Sequence, residues 1–317
     1  MTTLITGGSG FVGAEIVRLL LAAGEGPIHV AQRSPGPGRL ADVADRVTFH
    51  ELDLTDLDRI DAVVDAVRPT RFFHFGAMLT GPGERDPQTL LQANGVGFIR
   101  TIEAARQAGT EQFIFASSIG TYGRDLEPGL IDDRSLQRPR TAYGVTKVLG
   151  ENLGAYYRSK YGMDFRCLRY PAIVGPGVTT WSLAQYTSWM IEKPALGEPF
   201  AVWRTPDTTI AILYYLDAAR AAVELAAAPQ ERIRGISYLV NGPRPTPSAG
   251  ELAEAVRRHL PQADITFDPD PGLLRAGHIR IDDRYANQEW GWEPRFDVDD
   301  MIVDIIETAR STEAADR

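Results

Sequence analysis

A doubly wound α/β fold on a parallel sheet is predicted by three features of this 317-residue sequence. Short runs of β-branched and aromatic residues alternate with amphipathic stretches at the spacing of strand–helix–strand units. The first run ends in a glycine-rich turn, Gly7-Gly-Ser-Gly-Phe-Val-Gly13, that leads directly into a helical pattern. After Val174 the alternation gives way to a loop-rich stretch containing Pro194, Pro199 and Pro206, which predicts a smaller, interleaved second lobe.

The elements follow in order. Residues 3–6 are a short buried strand, and the helix after the turn runs to about Ala23. Residues 28–31 and 46–53 read as the second and third strands, 58–67 as a helix and 71–75 as the fourth strand. One long helix is expected over 88–108, a fifth strand over 112–116 ending at Ser117-Ser118, a helix over 143–161 and a sixth strand over 165–170. Beyond the loop-rich stretch, strands are expected at 210–214 and 237–240, a helix at 217–227 and a last strand at 264–267. A helix at 248–259 is announced by Ser248 and Glu251, spaced as a capping box. A closing helix spans 298–309, and the tail from 311 is expected to fray.

Composition narrows the function. Hydrophobic residues at 44% and charged residues at 24% are ordinary for a soluble globular chain. A net charge of −9 speaks against nucleic acid or an anionic membrane as partner, but not against phosphate-bearing small molecules. Cys167 is the only cysteine and lies in an alternating strand pattern, so an intramolecular disulfide or Cys-rich metal site is excluded and a packed thiol expected. The five histidines, His29, His50, His74, His259 and His278, show no metal-ligand spacing. The most apolar long stretch, 210–228, is interrupted by Asp217, Arg220 and Glu224 and is not a membrane span. The chain enters its first strand at once, and a cytoplasmic location is the expectation.

The turn Thr6-Gly7-Gly-Ser-Gly10-Phe11-Val12-Gly13 between a strand and a helix is the signature of a Rossmann dinucleotide site. Gly7 makes the turn, Gly10 lets backbone approach a pyrophosphate, and Gly13 allows close helix–sheet packing. The helix N-terminus then offers unpaired N–H groups to the phosphates. An acidic residue about 20 positions on would bind the ribose diol of NAD. Here the stretch is Val30-Ala-Gln32-Arg33-Ser34, without a carboxylate. Arg33 can pair with a 2′-phosphate, so the reading leans to NADP with NAD as the alternative; stacking on adenine or simple exposure are its other readings. Asp53, with Leu54 beside it, falls after the third strand where it can meet the adenine amino group, or cap the next helix.

In Tyr143-Gly-Val-Thr-Lys147 the two side chains fall one helical turn apart on one face. An ammonium beside a phenol can lower its pKa from about 10 toward neutrality, making it a proton acceptor for an alcohol that loses hydride. Such a spacing means little alone; it gains weight downstream of a dinucleotide turn, with Ser118 able to reach the same oxygen.

Together the glycine turn, Ser117-Ser118-Ile-Gly-Thr-Tyr-Gly123, Tyr143-x-x-x-Lys147 and Arg169-Tyr-Pro171 resemble the extended short-chain dehydrogenase/reductases, over nearly the whole chain. Within them the chain is most similar to the short-chain type of L-threonine 3-dehydrogenase, akin to nucleotide-sugar epimerases. Supporting segments are Thr179-Thr180, Asp282-Asp283, Trp290-Gly-Trp-Glu-Pro294, and Leu79-Thr80 followed by Gly83-Glu84 and Pro87. The resemblance implies Tyr143 as acid/base, Lys147 as ribose anchor that also steers the Tyr143 pKa, Ser118 as donor to the substrate oxygen and Ser117 as a residue that packs or hydrogen-bonds locally. It implies Ala77 along the cofactor, Pro171 to Ile173 at the carboxamide, Thr80, Thr179, Thr180 and Trp181 at the substrate, and a homodimer through helices near 89–108 and 144–160. Three departures stand out: no acidic residue on strand two, Trp181 where relatives place Asp, and Gly277-His-Ile-Arg280 where they place Ser-Trp-Pro. The last two imply a substrate altered from L-threonine.

The organisation expected is a dinucleotide-binding unit at 1–174, rejoined by 207–240, and a substrate lobe at 175–206 and 241–310. The leading function is an NAD(P)-dependent oxidoreductase acting on a secondary alcohol or ketone of a small polar molecule. A nucleotide-sugar 4-epimerase with retained NAD is the alternative, for which Arg204 is the one plausible diphosphate ligand. A dinucleotide sensor without turnover is the third, disfavoured by an intact Ser118/Tyr143/Lys147 set.

Overall fold

The computed structural model describes every residue except Pro35, 124–128, 273–278 and Arg317. Its elements are β1 (Thr3–Thr6), α1 (Gly13–Ala22), β2 (Ile28–Gln32), β3 (Thr48–Glu51), α2 (Leu57–Val67), β4 (Arg71–His74), α3 (Thr80–Arg85), α4 (Pro87–Leu90), α5 (Gly97–Ala108), β5 (Gln112–Ser118), β6 (Gly129–Ile131), α6 (Ala142–Tyr161), β7 (Asp164–Tyr170) and β8 (Ala172–Val174). There follow α7 (Tyr186–Ala195), β9 (Phe200–Val202), β10 (Ile212–Tyr214), α8 (Tyr215–Ala227), β11 (Ser237–Leu239), α9 (Ala249–His259), β12 (Ile265–Phe267), β13 (Ile279–Ile281), α10 (Arg284–Trp290) and α11 (Val298–Asp316).

Seven strands make one parallel sheet in the order β11-β7-β5-β4-β1-β2-β3, the doubly wound architecture expected. Chain order reverses at β1/β4, and in such sheets ligands bind outside the carboxyl ends of the strands at that switch. One face is covered by α1 and α8, where Ile16, Val17 and Leu20 share a core with Ala218, Ala222 and Leu225. On the other face Phe72, Phe98, Phe113, Phe115 and Phe165 form an aromatic core under α2, α5 and α6. A separate core joins α7, α9 and α11 through Met190, Ile191, Leu252, Val256, Met301 and Ile305.

Several expectations change. The helix expected over 88–108 is present as one run of helical backbone from Pro87 to Ala108, with a π-helical turn, Leu91–Val96, between α4 and α5. The extra residue in that turn carries buried Asn94, whose Oδ1 accepts from Met78 N and whose Nδ2 donates to Met78 O, both at 2.8 Å. The stretch read as loop holds α7, ended by Pro194 in its last turn. Three-residue strands pair as β8/β10, β9/β12 and β6/β13; β10 and β12 lie within the strands expected at 210–214 and 264–267, and the other four are too short to show an alternating pattern in sequence. The tail does not fray: α11 runs to Asp316, with Ser311 and Thr312 hydroxyls bonded back to the carbonyls of Glu307 and Thr308. His29 and His50, far apart in sequence, meet at 2.9 Å on adjacent strands β2 and β3. Ser248 and Glu251 form the expected capping box. Cys167 is buried, and burial pushes its thiol pKa up. No helix among the described residues is long and apolar enough to cross a membrane.

Candidate active site

At the end of β1, Gly7 adopts φ +69°, and a Cβ there would lie 2.8 Å from the amide nitrogen of Gly76 after β4. A Cβ on Gly13 would lie 2.2 Å from Gly7 O. The turn around Gly10 therefore has to be glycine-built to bring α1 onto the strand end. Val12, the N-cap of α1, supplies no side-chain cap, and the amides of Phe11 and Val12 have no partner among the described residues. Unpaired donors at a helix N-terminus are an anion cradle, and a dinucleotide's phosphates fit it. Leu54 lies against Gly76 after β4, and Ala77 comes between Gly76 and Met78, which Asn94 pins.

Arg33 is exposed just beyond β2. Asp53 is not the cap of the next helix; that is Asp56, which accepts from Arg59 N at 2.9 Å. Asp53 instead accepts from Thr55 N and Oγ1, both at 2.8 Å. The Thr55 amide chiefly, then the Thr55 hydroxyl and the Arg33 charge, hold its carboxyl below the usual range against desolvation. Arg33 and Asp53, just beyond β2 and β3, thus stand close enough for their charges to interact.

Ser118 ends β5, in register with Tyr170 and so beside buried Pro171, with half-buried Ile173 on β8 beyond it. Its Oγ accepts from Gly120 N at 3.0 Å, and a Cβ on Gly120 would lie 3.4 Å from that Oγ and 3.6 Å from Cδ1 of the Tyr143 ring, so the two side chains flank the same glycine. Tyr143 lies in the first turn of α6, whose N-cap Thr141 accepts from Gly144 N. Lys147, one turn on and buried, donates to Ala116 O at 2.7 Å and stands 5.3 Å from the Tyr143 ring centre. Burial pulls its ammonium down to about 8. The expectation of a phenol tuned toward neutrality changes here: burial pushes Tyr143 up to about 12, opposed only by the neighbouring Ser118 side chain. Lys147 faces the ring rather than the hydroxyl.

Behind this group lies a buried network the sequence did not reveal. Ser117 donates to Glu151, one turn beyond Lys147 on α6, and Arg169 grips the same carboxylate through Nε at 3.0 Å and Nη2 at 2.6 Å. Gln137 adds a bond to Glu151, and Arg169 Nη1 reaches Tyr122 OH at 2.7 Å. A glutamate on an otherwise amphipathic helix reads as a solvated residue, so only the register of β5 against β7 exposes this pair. Asn94 did carry a signal: an Asn-Gly pair inside a helical pattern is costly and calls for a reason.

On the substrate side, Thr80 opens α3, and a Cβ on Gly81 would lie 2.4 Å from Trp181 O. Glu84 Oε1 accepts from Ala142 N at 3.0 Å, tying α3 to the start of the helix that bears Tyr143. Thr80 and Trp181 are therefore gathered on that side. Trp181 is 41% exposed, 6.3 Å from Trp203, which Tyr186, Trp189 and Phe200 surround. Its indole is not core. Thr179 is exposed and Thr180 half-buried on the same loop, without a hydrogen bond to Ser118 or Tyr143 among the described residues. Of the stretch Gly277–Arg280, Gly277 and His278 lie outside the described residues.

A sequence model described as the NAD dependent epimerase/dehydratase family matches residues 3–240. The mitochondrial L-threonine 3-dehydrogenase of Sus scrofa is 31% identical over 311 residues, covering 96% of this chain and 81% of that protein. Among solved structures, the holo form of the GalE-like L-threonine dehydrogenase from Cupriavidus necator superposes with a TM-score of 0.88 at 27% identity, covering 97% of this chain and 99% of that one. The UDP-glucose 4-epimerase of Thermus thermophilus in complex with NAD has a TM-score of 0.83 at 26% identity, covering 98% and 99%. The match over most of the chain, on the strands and turns that build the crevice, shows that this protein belongs to the NAD-dependent epimerase/dehydratase family.

Proposed function

We propose that the protein is an NAD(P)-dependent dehydrogenase interconverting a secondary alcohol and a ketone on a small polar substrate, of the L-threonine 3-dehydrogenase type. The observation that carries this reading is that Ser118, at the end of β5, and Tyr143 flank Gly120, with Lys147 over the Tyr143 ring. When bound, the nicotinamide accepts a hydride or returns one. Ser118 donates to the substrate oxygen, and Tyr143 takes the hydroxyl proton in oxidation or gives it in reduction. Lys147, over the phenol ring, would anchor the nicotinamide ribose. Ser118→Ala should lower turnover roughly 10- to 1000-fold, the scale for one donor at a developing oxyanion. Ser117→Ala should cost less; steady-state rates in the reverse order would place the reactive oxygen one residue away.

For the coenzyme we favour NADP, on the absence of a carboxylate after β2 and the exposed guanidinium of Arg33 next to Asp53. Arg33→Ala should weaken NADP by about 1.5–3 kcal/mol and leave NAD nearly unchanged in titration calorimetry, as for a lost charge-assisted hydrogen bond. Equal losses would mean adenine stacking, and a wild-type preference for NAD would overturn the choice of NADP.

Trp181 points the specificity away from L-threonine, toward a less polar or bulkier 3-hydroxy or 3-keto compound, because a half-exposed indole stands among aromatic rings. Trp181→Asp should increase L-threonine oxidation; efficient oxidation by the wild type would refute this. The epimerase reading is weaker: Arg204, its one plausible diphosphate ligand, is 1% exposed. We also propose a homodimer, since Val96, Ile99, Val145 and Leu149 leave apolar side chains exposed around the start of α5 and on α6.

A further inference from the structure

A residue outside every segment discussed so far spans the mouth of the crevice. Arg39 lies in the irregular helical segment Gly38–Arg46 that follows β2. Its Nη2 donates to Gly177 O at 2.5 Å and to Pro176 O at 3.3 Å, 138 and 137 residues away, on the loop after β8. Its guanidinium carbon stands 5.2 Å from the centre of the Phe11 ring in the glycine turn. Phe11 in turn stacks on Tyr215 at 5.1 Å, with Gly175 packed against both rings. The side chain thus touches the cradle on one side and the loop opposite on the other.

The backbone of Arg39 is fixed to the same cradle. Arg18 of α1 donates to Arg39 O and also binds Asp42 through Nε at 2.9 Å and Nη2 at 2.8 Å. Gly38 lies against Ser9 of the turn. Arginine has five N–H donors, and here Nε and Nη1 have no partner among the described residues. An exposed cation with unused donors is therefore held over the ring of Phe11, whose own amide and that of Val12 have no partner among the described residues.

We propose that Arg39 is a latch over the coenzyme's pyrophosphate: Nη2 keeps its grip on the Gly177 loop while Nε and Nη1 meet the diphosphate from the solvent side. This rests on the dinucleotide reading of the cradle. A guanidinium suits the role, since its planar fork can hold a carbonyl and an anion at once and lie on a ring, which an ammonium cannot. A latch that must let go before the dinucleotide leaves sets its residence time.

The test compares ADP-ribose with AMP on wild type, Arg39→Ala and Arg39→Lys, by calorimetry and by stopped-flow displacement. The inference expects Arg39→Ala to weaken ADP-ribose about tenfold, mostly through faster dissociation, with a shallower salt dependence and AMP changed less than twofold. Arg39→Lys should recover the salt dependence but not the slow dissociation. Thermal melting and circular dichroism identify a variant that fails to fold, in which case Arg39→Lys alone decides. Equal losses for AMP and ADP-ribose, or no change for either, would overturn the latch. A wild type that binds AMP and ADP-ribose equally well overturns it too, and one that binds neither overturns the dinucleotide reading beneath it.

Discussion

Tyr143→Phe should lower turnover by about 10²–10⁴-fold, the range for a positioned proton donor or acceptor, while ADP-ribose binds as to the wild type. The substitution removes one oxygen and leaves the ring that packs against Lys147. The pH dependence supplies a second signature. Burial holds the phenol at about 12, so it is protonated through the neutral range. Alcohol oxidation needs the deprotonated form and should speed up as pH rises. Ketone reduction needs the protonated form and should not rise with it. In Tyr143→Phe the oxidation slope should vanish. A variant retaining more than a tenth of wild-type turnover, or the same slope, would remove Tyr143 from its role.

Glu151→Ala should be the costliest of the substitutions for stability, at about 3–5 kcal/mol, because it strands the buried Arg169 cation without its partner. It also deprives Ser117 and Gln137 of their acceptor. Glu151→Gln keeps an acceptor and should lose less. Replacing both members, Glu151→Leu with Arg169→Met, should restore part of the loss, since no buried charge is left unpaired. Denaturant titration reads all three. A cost below about 1 kcal/mol for Glu151→Ala would mean that water reaches Arg169 and the network is not closed.

The parallel sheet and the cradle were legible because their signals are local. Thr3–Thr6 is four apolar or β-branched residues, and the glycine spacing states what the backbone must do. The proximity of Tyr143 and Lys147 was legible through spacing along one helix, with Ser118 placed by the end of a strand. What stayed hidden depends on pairing between distant segments. Glu151 and Arg169 each look like solvated charges until β5 lies beside β7. His29 and His50 carry no spacing that predicts their contact across β2 and β3. The π turn at Asn94 is a tertiary decision, made by Met78 sixteen residues earlier. Pro194 argued for a loop, yet a proline in a final turn only ends the helix. Arg39 had no signal at all, since its partners lie 137 and 138 residues away.

The central claim is net hydride transfer to a coenzyme that comes and goes. The most direct measurement is absorbance at 340 nm, with purified protein, NAD or NADP, and a panel of L-threonine, bulkier 3-hydroxy amino acids and other 3-hydroxy acids. The account predicts growth of reduced coenzyme with at least one 3-hydroxy compound, strongest for a substrate less polar or larger than L-threonine and absent in Tyr143→Phe. Nucleotide that stays bound through purification, with no net reduction on any alcohol but 4-epimerisation of a nucleotide sugar, would contradict it.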